Sequence, residues 1–181
     1  MPGPFKRILV PVDFSEATDD MINAGRATPI GEGVHVEVAE QSVQALQLAR
    51  GMVAEGGEIR LIHATPPLER SGIYGGPAGL GGLAAAIDEI HRSAKQAALK
   101  CLQFLGEEHL GDIEGIKLSF EARNAVPVDF VVEEAQEMEA ELVIVAASGR
   151  SGVARFFLGS TADRVIRQSP CPVLVVPTTG S

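Results

Sequence analysis

The stretch LVIVAASGRSGVARFFLGST, residues 142–161, joins a short apolar run to a glycine-containing segment that ends in Gly159-Ser160-Thr161. The run Leu142–Ala146 is an almost unbroken series of β-branched and leucine residues, which is typical of a strand buried on both faces of a parallel sheet. Glycines allow a backbone to approach an anion closely, and a Gly-Ser-Thr sequence suits the start of a helix. The stretch therefore predicts a strand, a loop and a helix, with a loop that could hold an anion.

Four further apolar runs extend this pattern along the chain. Three of the five runs are nearly continuous, whereas the third alternates and is expected at an edge of the sheet. The five predicted strands are Ile8–Val12, Ile59–His63, Lys117–Glu121, Leu142–Ala146 and Val173–Val176.

Stretches with helical periodicity separate these runs, because apolar residues recur there at steps of three and four. Pro127 suits the first turn of one of the helices. Ser160 and Asp163 have the spacing of a capping box at the start of another. The four predicted helices run from Ser42 to Val53 (closed by Gly56-Gly57), from Ile87 to an end near Gly106 to Gly111, from Pro127 to Met138 and from Ser160 to Ser169.

The resulting βαβαβαβαβ order predicts an α/β fold, an open parallel sheet with helices on both faces, in a single domain covering residues 1–181. Two segments do not fit this alternation of strands and helices. An insertion is expected at about residues 17–41, where Val34–Val38 alternates and predicts a short strand or a hairpin arm. A glycine-rich loop is expected at about residues 70–84.

The composition narrows the class of protein. Apolar residues make up 45% of the chain and the net charge is −9, which argues against general nucleic-acid binding. No run is long enough to span a membrane, and the N-terminal residues do not have the pattern of a signal peptide. Cys101 and Cys171 are interpreted as core thiols in a reducing compartment, so a cytoplasmic protein is expected.

Ligands of open α/β sheets bind beyond the carboxyl ends of the strands, where the strand order reverses. The first predicted strand ends at Asp13, and the fourth leads into the glycine segment. The free N–H groups of a helix that starts at Ser160 favour a phosphate, and Ser160 and Thr161 could donate from their hydroxyls. Asp13 suits the other end of such a ligand, where it would accept from ribose hydroxyls or an adenine amine. The base could make apolar contacts with Pro11, Val12 and Ala64.

The same residues allow plainer interpretations. Asp13-Phe14-Ser15 could be only a turn, and Gly149, Gly152 and Gly159 could serve tight packing and a helix entry. His63 closes an apolar strand and is interpreted as a hydrogen-bonded core histidine. No catalytic residue is predicted.

Together these features resemble the universal stress protein family. The resemblance lies in Ile8-Leu-Val-Pro-Val-Asp13, in Leu61-Ile-His63, in Gly149 followed after nine residues by Gly159-Ser160, and in Ser169-Pro-Cys-Pro-Val-Leu-Val-Val-Pro177. It implies a five-stranded, Rossmann-like sheet of order 3-2-1-4-5, similar to the adenine nucleotide alpha hydrolases. It also implies a homodimer that pairs through Val173–Val176 and a signalling or protective role in the stress response. The implied ligand is ATP or another adenine nucleotide, with or without Mg²⁺, and slow ATP hydrolysis is the only reaction considered.

Carried over by position, the nucleotide-binding residues are Pro11, Val12, Asp13, Ala64, Ala146, Gly149, Gly159, Ser160 and Thr161. Two departures from the family pattern stand out, since Ala146 replaces the first motif glycine and Ala64 replaces a usual valine. Ala146 at negative φ would weaken binding slightly, and at positive φ by up to about tenfold. The alternative is a family member that binds no nucleotide and acts as a protein-interaction module, its crevice altered by Ala146 and the insertion.

Overall fold

The computed structural model describes residues 3–31, 33–65, 80–111, 114–147 and 158–177. In chain order the elements are β1 (Phe5–Pro11), β2 (Phe14–Glu16), α1 (Asp19–Asn23), β3 (Thr28–Gly31), β4 (Val34–Val38), α2 (Glu40–Met52), β5 (Val53–Thr65), α3 (Leu80–His109), β6 (Lys117–Asn124), α4 (Pro127–Glu137), β7 (Leu142–Ala146), α5 (Ser160–Gln168) and β8 (Val173–Val176).

Five strands form one parallel sheet in the order β6-β5-β1-β7-β8. Counted along the chain without the three additional short strands, this is the expected order 3-2-1-4-5. The alternating strand, now β6, lies at an edge as predicted. β1 lies in the middle of the sheet, and its residues Ile8, Leu9 and Val10 have no exposed surface.

Helices cover both faces of the sheet, as the βα alternation predicts. The first core lies under α2 and α3 and includes Leu46 and Leu102 together with Ile8 and Leu61 of the sheet. The second core lies under α4 and α5 and includes Phe130 and Val165. Side chains alternate between the two faces along each strand, so neighbouring residues of one strand belong to different cores.

Several predicted boundaries were wrong. α3 begins at Leu80, within the segment predicted as a glycine-rich loop; the earlier part of that loop, residues 70–79, lies outside the described residues. Gly56-Gly57 does not follow a helix end but lies inside β5, which starts directly after α2. There Gly56 has a φ of 70° and the pairing with β1 shifts register. The two glycines, which the sequence suggested as the end of a helix, thus mark an irregularity in β5.

The insertion contains a second, antiparallel sheet in the order β2-β4-β3. The predicted strand Val34–Val38 is its central strand. β2 begins at Phe14, so this sheet starts earlier than the expected boundary at residue 17. Val36 and Phe14 are buried in the first core, which attaches the small sheet to the α2 and α3 side of the large one.

Glu134 joins α4 to the sheet through a buried ion pair. Its side chain is 3% exposed and accepts hydrogen bonds from Arg60 of β5 at 3.0 Å and from Arg123 of β6 at 2.7 Å. The Arg123 guanidinium also lies 4.4 Å from the ring centroid of Phe130. One carboxylate thereby pairs with two cations on the face that α4 covers, and each cation has a further partner, Glu58 for Arg60 and Glu133 for Arg123.

We expect Glu134→Gln to lower the free energy of unfolding by about 3 kcal/mol, because it removes the most buried counter-charge of two partly buried guanidinium groups. Glu133→Gln is the matched control. Glu133 is the preceding residue, it also pairs with Arg123, and its side chain is 63% exposed, so its loss should cost less than about 1 kcal/mol. Urea unfolding of both variants measures the difference. Equal losses would contradict the assignment of the buried pair.

Candidate functional site

The two central strands stop pairing before they end. The β1–β7 ladder comprises Ile8 with Leu142 and Leu9 with Val143. On their other sides both strands continue, β1 against β5 to Pro11 and β7 against β8 to Ala146. Strand order reverses at this same point of the sheet, so a gap opens at the carboxyl ends of β1 and β7. We call this gap the crevice; it is where open α/β sheets bind their ligands.

One wall of the crevice is the end of β1, where Pro11, Val12 and Asp13 follow one another. The N–H of Val12 donates to the carbonyl of Ile62 at 2.8 Å, so the contact with β5 extends past the ladder. Val12 is buried and Asp13 is half-buried. Val12 and Phe14 both pack into the first core, and alternation directs the Asp13 side chain to the opposite face of the sheet. Ala64, near the end of β5, packs against the second core on that face.

The other wall is the start of α5. Gly159 is the N-cap residue, and its N–H donates to the carbonyl of Ala147 at 2.6 Å, which attaches the helix start to the end of β7. Ser160 and Thr161 follow and are exposed. The first N–H groups of a helix have no acceptor within it, and glycine offers no side chain to cap them. This terminus has the donor set and the dipole that suit an anion.

The predicted capping box was wrong. Gly159 and not Ser160 occupies the N-cap position, and the structure has no side-chain cap there. Asp163 instead accepts two hydrogen bonds of 3.0 Å from Arg167, one turn later on the helix. The hydrogen bond from Arg167 lowers the pKa of Asp163. The capping-box spacing failed because a charged partner at i+4 competes for the carboxylate.

Ala146 is the last residue of β7 and pairs with Val176 of β8. Within the described ranges, Glu139 is the sole non-glycine residue with a positive φ, so Ala146 is not in the left-handed region. Its methyl group therefore causes no backbone strain. Continuing the β1–β7 register by three residues sets Val12 level with Ala146 on opposite sides of the crevice.

Gly149, with Gly152 and Arg150 near it, lies outside the described residues, which stop at Ala147 and resume at Leu158. Of the nine residues predicted from the family pattern, the structure describes the other eight. It places Pro11, Val12 and Ala64 at the ends of β1 and β5. It places Ala146 at the end of β7, Gly159, Ser160 and Thr161 at the start of α5, and Asp13 two residues past the end of β1.

The insertion borders the crevice on one side. Its buried residues Phe14 and Val36 belong to the first core, with Ile30 and Val38 packed against it. None of the described residues of the second core comes from the insertion. The small sheet therefore covers the α2 and α3 side of the β1 end, whereas α5 begins on the opposite side.

His63 is hydrogen-bonded and buried, as predicted for a core histidine. Its Nδ1 lies 2.9 Å from the carbonyl oxygen of Val12, and its ring stacks on Phe14 with centroids 3.8 Å apart. The sequence did not identify Phe14 as a contact of His63, because an aromatic residue after a strand does not reveal which ring it will pack against. The apolar residues on both sides of Asp13 are the one signal that could have pointed to Phe14.

The cysteines differ in burial. Cys101 is buried, and this burial raises the pKa of its thiol to about 12, so it remains protonated at neutral pH. Cys171 is half-buried beside the Ser169 hydroxyl. None of the helices in the described ranges is long and apolar enough to cross a membrane.

Comparison with known proteins agrees with this architecture. Universal stress protein MJ0531 of Methanocaldococcus jannaschii is 30% identical over 172 residues, which cover 95% of this chain and 82% of the relative. Universal stress protein MJ0577 of the same archaeon is 26% identical over 183 residues, with coverage of 95% and 94%.

Solved structures show the same fold. The structure of MJ0577 superposes with a TM-score of 0.68 at 21% identity, covering 97% of this chain and 98% of its own. UspA from Lactobacillus plantarum has a TM-score of 0.54 at 23% identity, with coverage of 94% and 97%. The model of the universal stress protein family matches residues 33–177, well over half of the sequence. The chain belongs to the universal stress protein family.

Proposed function

We propose that this stress protein binds an adenine nucleotide, ATP first among them, in the crevice between β1 and β7. The observation that carries the proposal is the early end of the β1–β7 ladder, with Asp13 on one side of the opening and the uncapped start of α5 on the other. A carboxylate and a helix N-terminus at opposite walls match a ligand with hydroxyl or amine donors at one end and phosphates at the other.

The nucleotide would lie along the sheet edge with its parts in separate surroundings. Pro11, Val12 and Ala64 offer apolar surface for the base, and Asp13 would accept from the ribose hydroxyls or the adenine amine. The phosphates would lie at Gly159, Ser160 and Thr161, and the family pattern adds Gly149 to this group. Ala146 would border the crevice with a methyl group that costs little, because its backbone is unstrained.

Mg²⁺ would accompany a triphosphate. Within the described residues no group of three histidine, cysteine, aspartate or glutamate side chains could hold a metal ion. Phosphate oxygens and water would therefore supply most of its ligands, as is usual for nucleotide-bound magnesium.

A family protein from Arabidopsis thaliana was solved with AMP bound. It covers 97% of this chain with a TM-score of 0.50 and 12% identity, a likeness that bears on fold alone. The AMP bound to that protein is the reason to test AMP as well as ATP.

We expect isothermal titration calorimetry to detect ATP binding to the folded protein, with weaker binding of AMP and weaker still of adenosine. Asp13→Ala should weaken ATP binding by ten- to one-hundredfold, because a charged hydrogen bond contributes about 1.5–3 kcal/mol. Glu16→Ala is the matched control, since Glu16 is exposed at the end of β2 and its loss should change affinity less than twofold. Absence of binding at millimolar ATP, with native circular dichroism, would refute the proposal.

Ala146→Gly tests the departure from the family motif. Because Ala146 lies in a strand without positive φ, we expect less than about threefold tighter ATP binding and a loss of roughly 0.5–1 kcal/mol in stability. A gain above tenfold would mean that the methyl group obstructs the phosphates. Titration with ATP and urea unfolding of the same variant measure both effects.

The alternative, a module that binds no nucleotide and acts through a protein partner, has one observation in its favour. The insertion adds a small folded sheet, and it exposes Ile22 of α1 and Val34 of β4. Failure of the ATP titration, combined with native folding, would favour this second function.

We also propose that two copies pair through β8. This strand is an edge of the sheet, and its four residues are apolar and uncharged. The opposite edge, β6, carries Lys117, Glu121 and Arg123, which are the kind of residues that discourage pairing. A second copy added to β8 would bury the half-exposed Val173, Leu174 and Val175.

Val175→Pro should convert the dimer to a monomer without breaking the β7–β8 ladder. The carbonyls of Pro172 and Val176 accept from Val143 and Ala147 of the β7 side, so alternate residues of β8 face β7 and the N–H of Val175 faces outward. Proline removes that outward donor. Val175→Thr keeps it and is the matched control. Sedimentation velocity measures the outcome, and a dimeric Val175→Pro variant would contradict the assigned edge.

A further inference from the structure

One buried ring contacts both chain neighbours of Asp13. His63, near the end of β5, is 8% exposed, and its Nδ1 lies 2.9 Å from the carbonyl oxygen of Val12. The same imidazole stacks on the ring of Phe14, with centroids 3.8 Å apart and planes inclined by 18°. Asp13 stands between Val12 and Phe14 in the chain. We call these three residues the Val12–His63–Phe14 cluster.

The hydrogen bond determines where the imidazole carries its proton. A backbone carbonyl can only accept, so the Nδ1–H of His63 donates to Val12. The N–H of Val12 in turn donates to the carbonyl of Ile62 at 2.8 Å. Both backbone polar groups of Val12 are therefore bound to β5, although the ladder itself ends at Pro11.

The stack fixes the chain on the other side of Asp13. Phe14 is 9% exposed, belongs to the first core and begins β2. Its ring leaves the sheet edge on the same face as His63, since His63 alternates with Ile62 of the second core. The chain therefore enters the insertion at a position that the imidazole determines. Asp13 is held from both sides while its own side chain is directed to the opposite face.

We propose that His63 is a positioning residue for Asp13, which rests on the proposed binding of an adenine nucleotide by Asp13. The imidazole holds the peptide before Asp13 by a hydrogen bond and the ring after it by stacking. The carboxylate then meets the ligand already in place, and binding does not have to order this segment. A histidine that only filled the core would affect the free energy of unfolding and would leave ligand binding by Asp13 unchanged.

Two substitutions divide the contacts of the imidazole. His63→Asn retains a donor near the Nδ1 position and removes the stacked ring, whereas His63→Phe retains an aromatic ring and removes the donor. Phe14→Leu removes the stack from the other partner and keeps His63, in case either histidine variant fails to fold. Leu105→Ala, a large-to-small change in the first core on α3, is the control for lost stability.

A double-mutant cycle with Asp13→Asn tests the coupling. We expect His63→Phe to weaken ATP binding about tenfold in the wild-type background and less than twofold in the Asp13→Asn background. His63→Asn and Phe14→Leu should behave likewise, and Leu105→Ala should leave the dissociation constant within twofold of wild type. An equal effect in both backgrounds, or none in the wild type, would overturn the positioning role.

A second measurement needs no nucleotide. Amide hydrogen exchange at Asp13 and Phe14 should become at least tenfold faster in His63→Phe, while exchange in the middle of β1 stays within twofold of wild type. If the wild-type protein binds no ATP and exchange at Asp13 rises, the proposed function fails and the positioning of Asp13 stands. If exchange at Asp13 is unchanged, the inference fails whether or not ATP binds.

Discussion

The pairing of β1 governs this structure. Its central residues are fully buried, and its ladder with β5 runs to the end of the strand, whereas its ladder with β7 stops at Leu9 and Val143. Backbone groups that lack a neighbouring strand must find other partners or face a ligand and water. Past the paired residues, the N–H and carbonyl of Val12 bond to Ile62 and His63 of β5, while the N–H and carbonyl of Ala147 bond to Val176 of β8 and to Gly159. Both strand ends are therefore held on the sides that face away from the crevice.

The insertion is a long connection whose described buried residues all pack on one face of the large sheet. It leaves the end of β1 and returns to α2 as a small antiparallel sheet, and its buried side chains join the first core. The start of α5 lies with the second core. The added sheet and the helix terminus therefore occupy opposite faces of the large sheet, and Phe14 and His63 form the joint between the insertion and the strand ends. The dependence of Asp13 on this joint connects the insertion to the proposed binding site.

Sequence patterns predicted the large sheet well, because buried parallel strands leave long apolar runs. Leu142–Ala146 and Val173–Val176 have the predicted bounds, and Pro127 begins α4. Sequence patterns predicted the helix cap less well, because more than one residue can fill the cap position or pair with the same carboxylate. Ser160 and Asp163 had the spacing of a capping box, yet Arg167 takes the carboxylate and Gly159 takes the cap position. The two strands flanking β4 were not predicted, because short half-exposed strands in a small sheet carry too few apolar residues to show a period.

By itself the sequence determined the fold class, the family and the identity of the residues proposed to bind a nucleotide, since burial on both faces and close backbone approach each require particular residue types. Only the tertiary structure decided how those residues are held. The backbone conformation of Ala146 depends on its place in β7, and the position of Asp13 depends on a ring fifty residues later in the chain. Contacts between distant segments arise from the packing of the whole sheet, and no local pattern of residues encodes them.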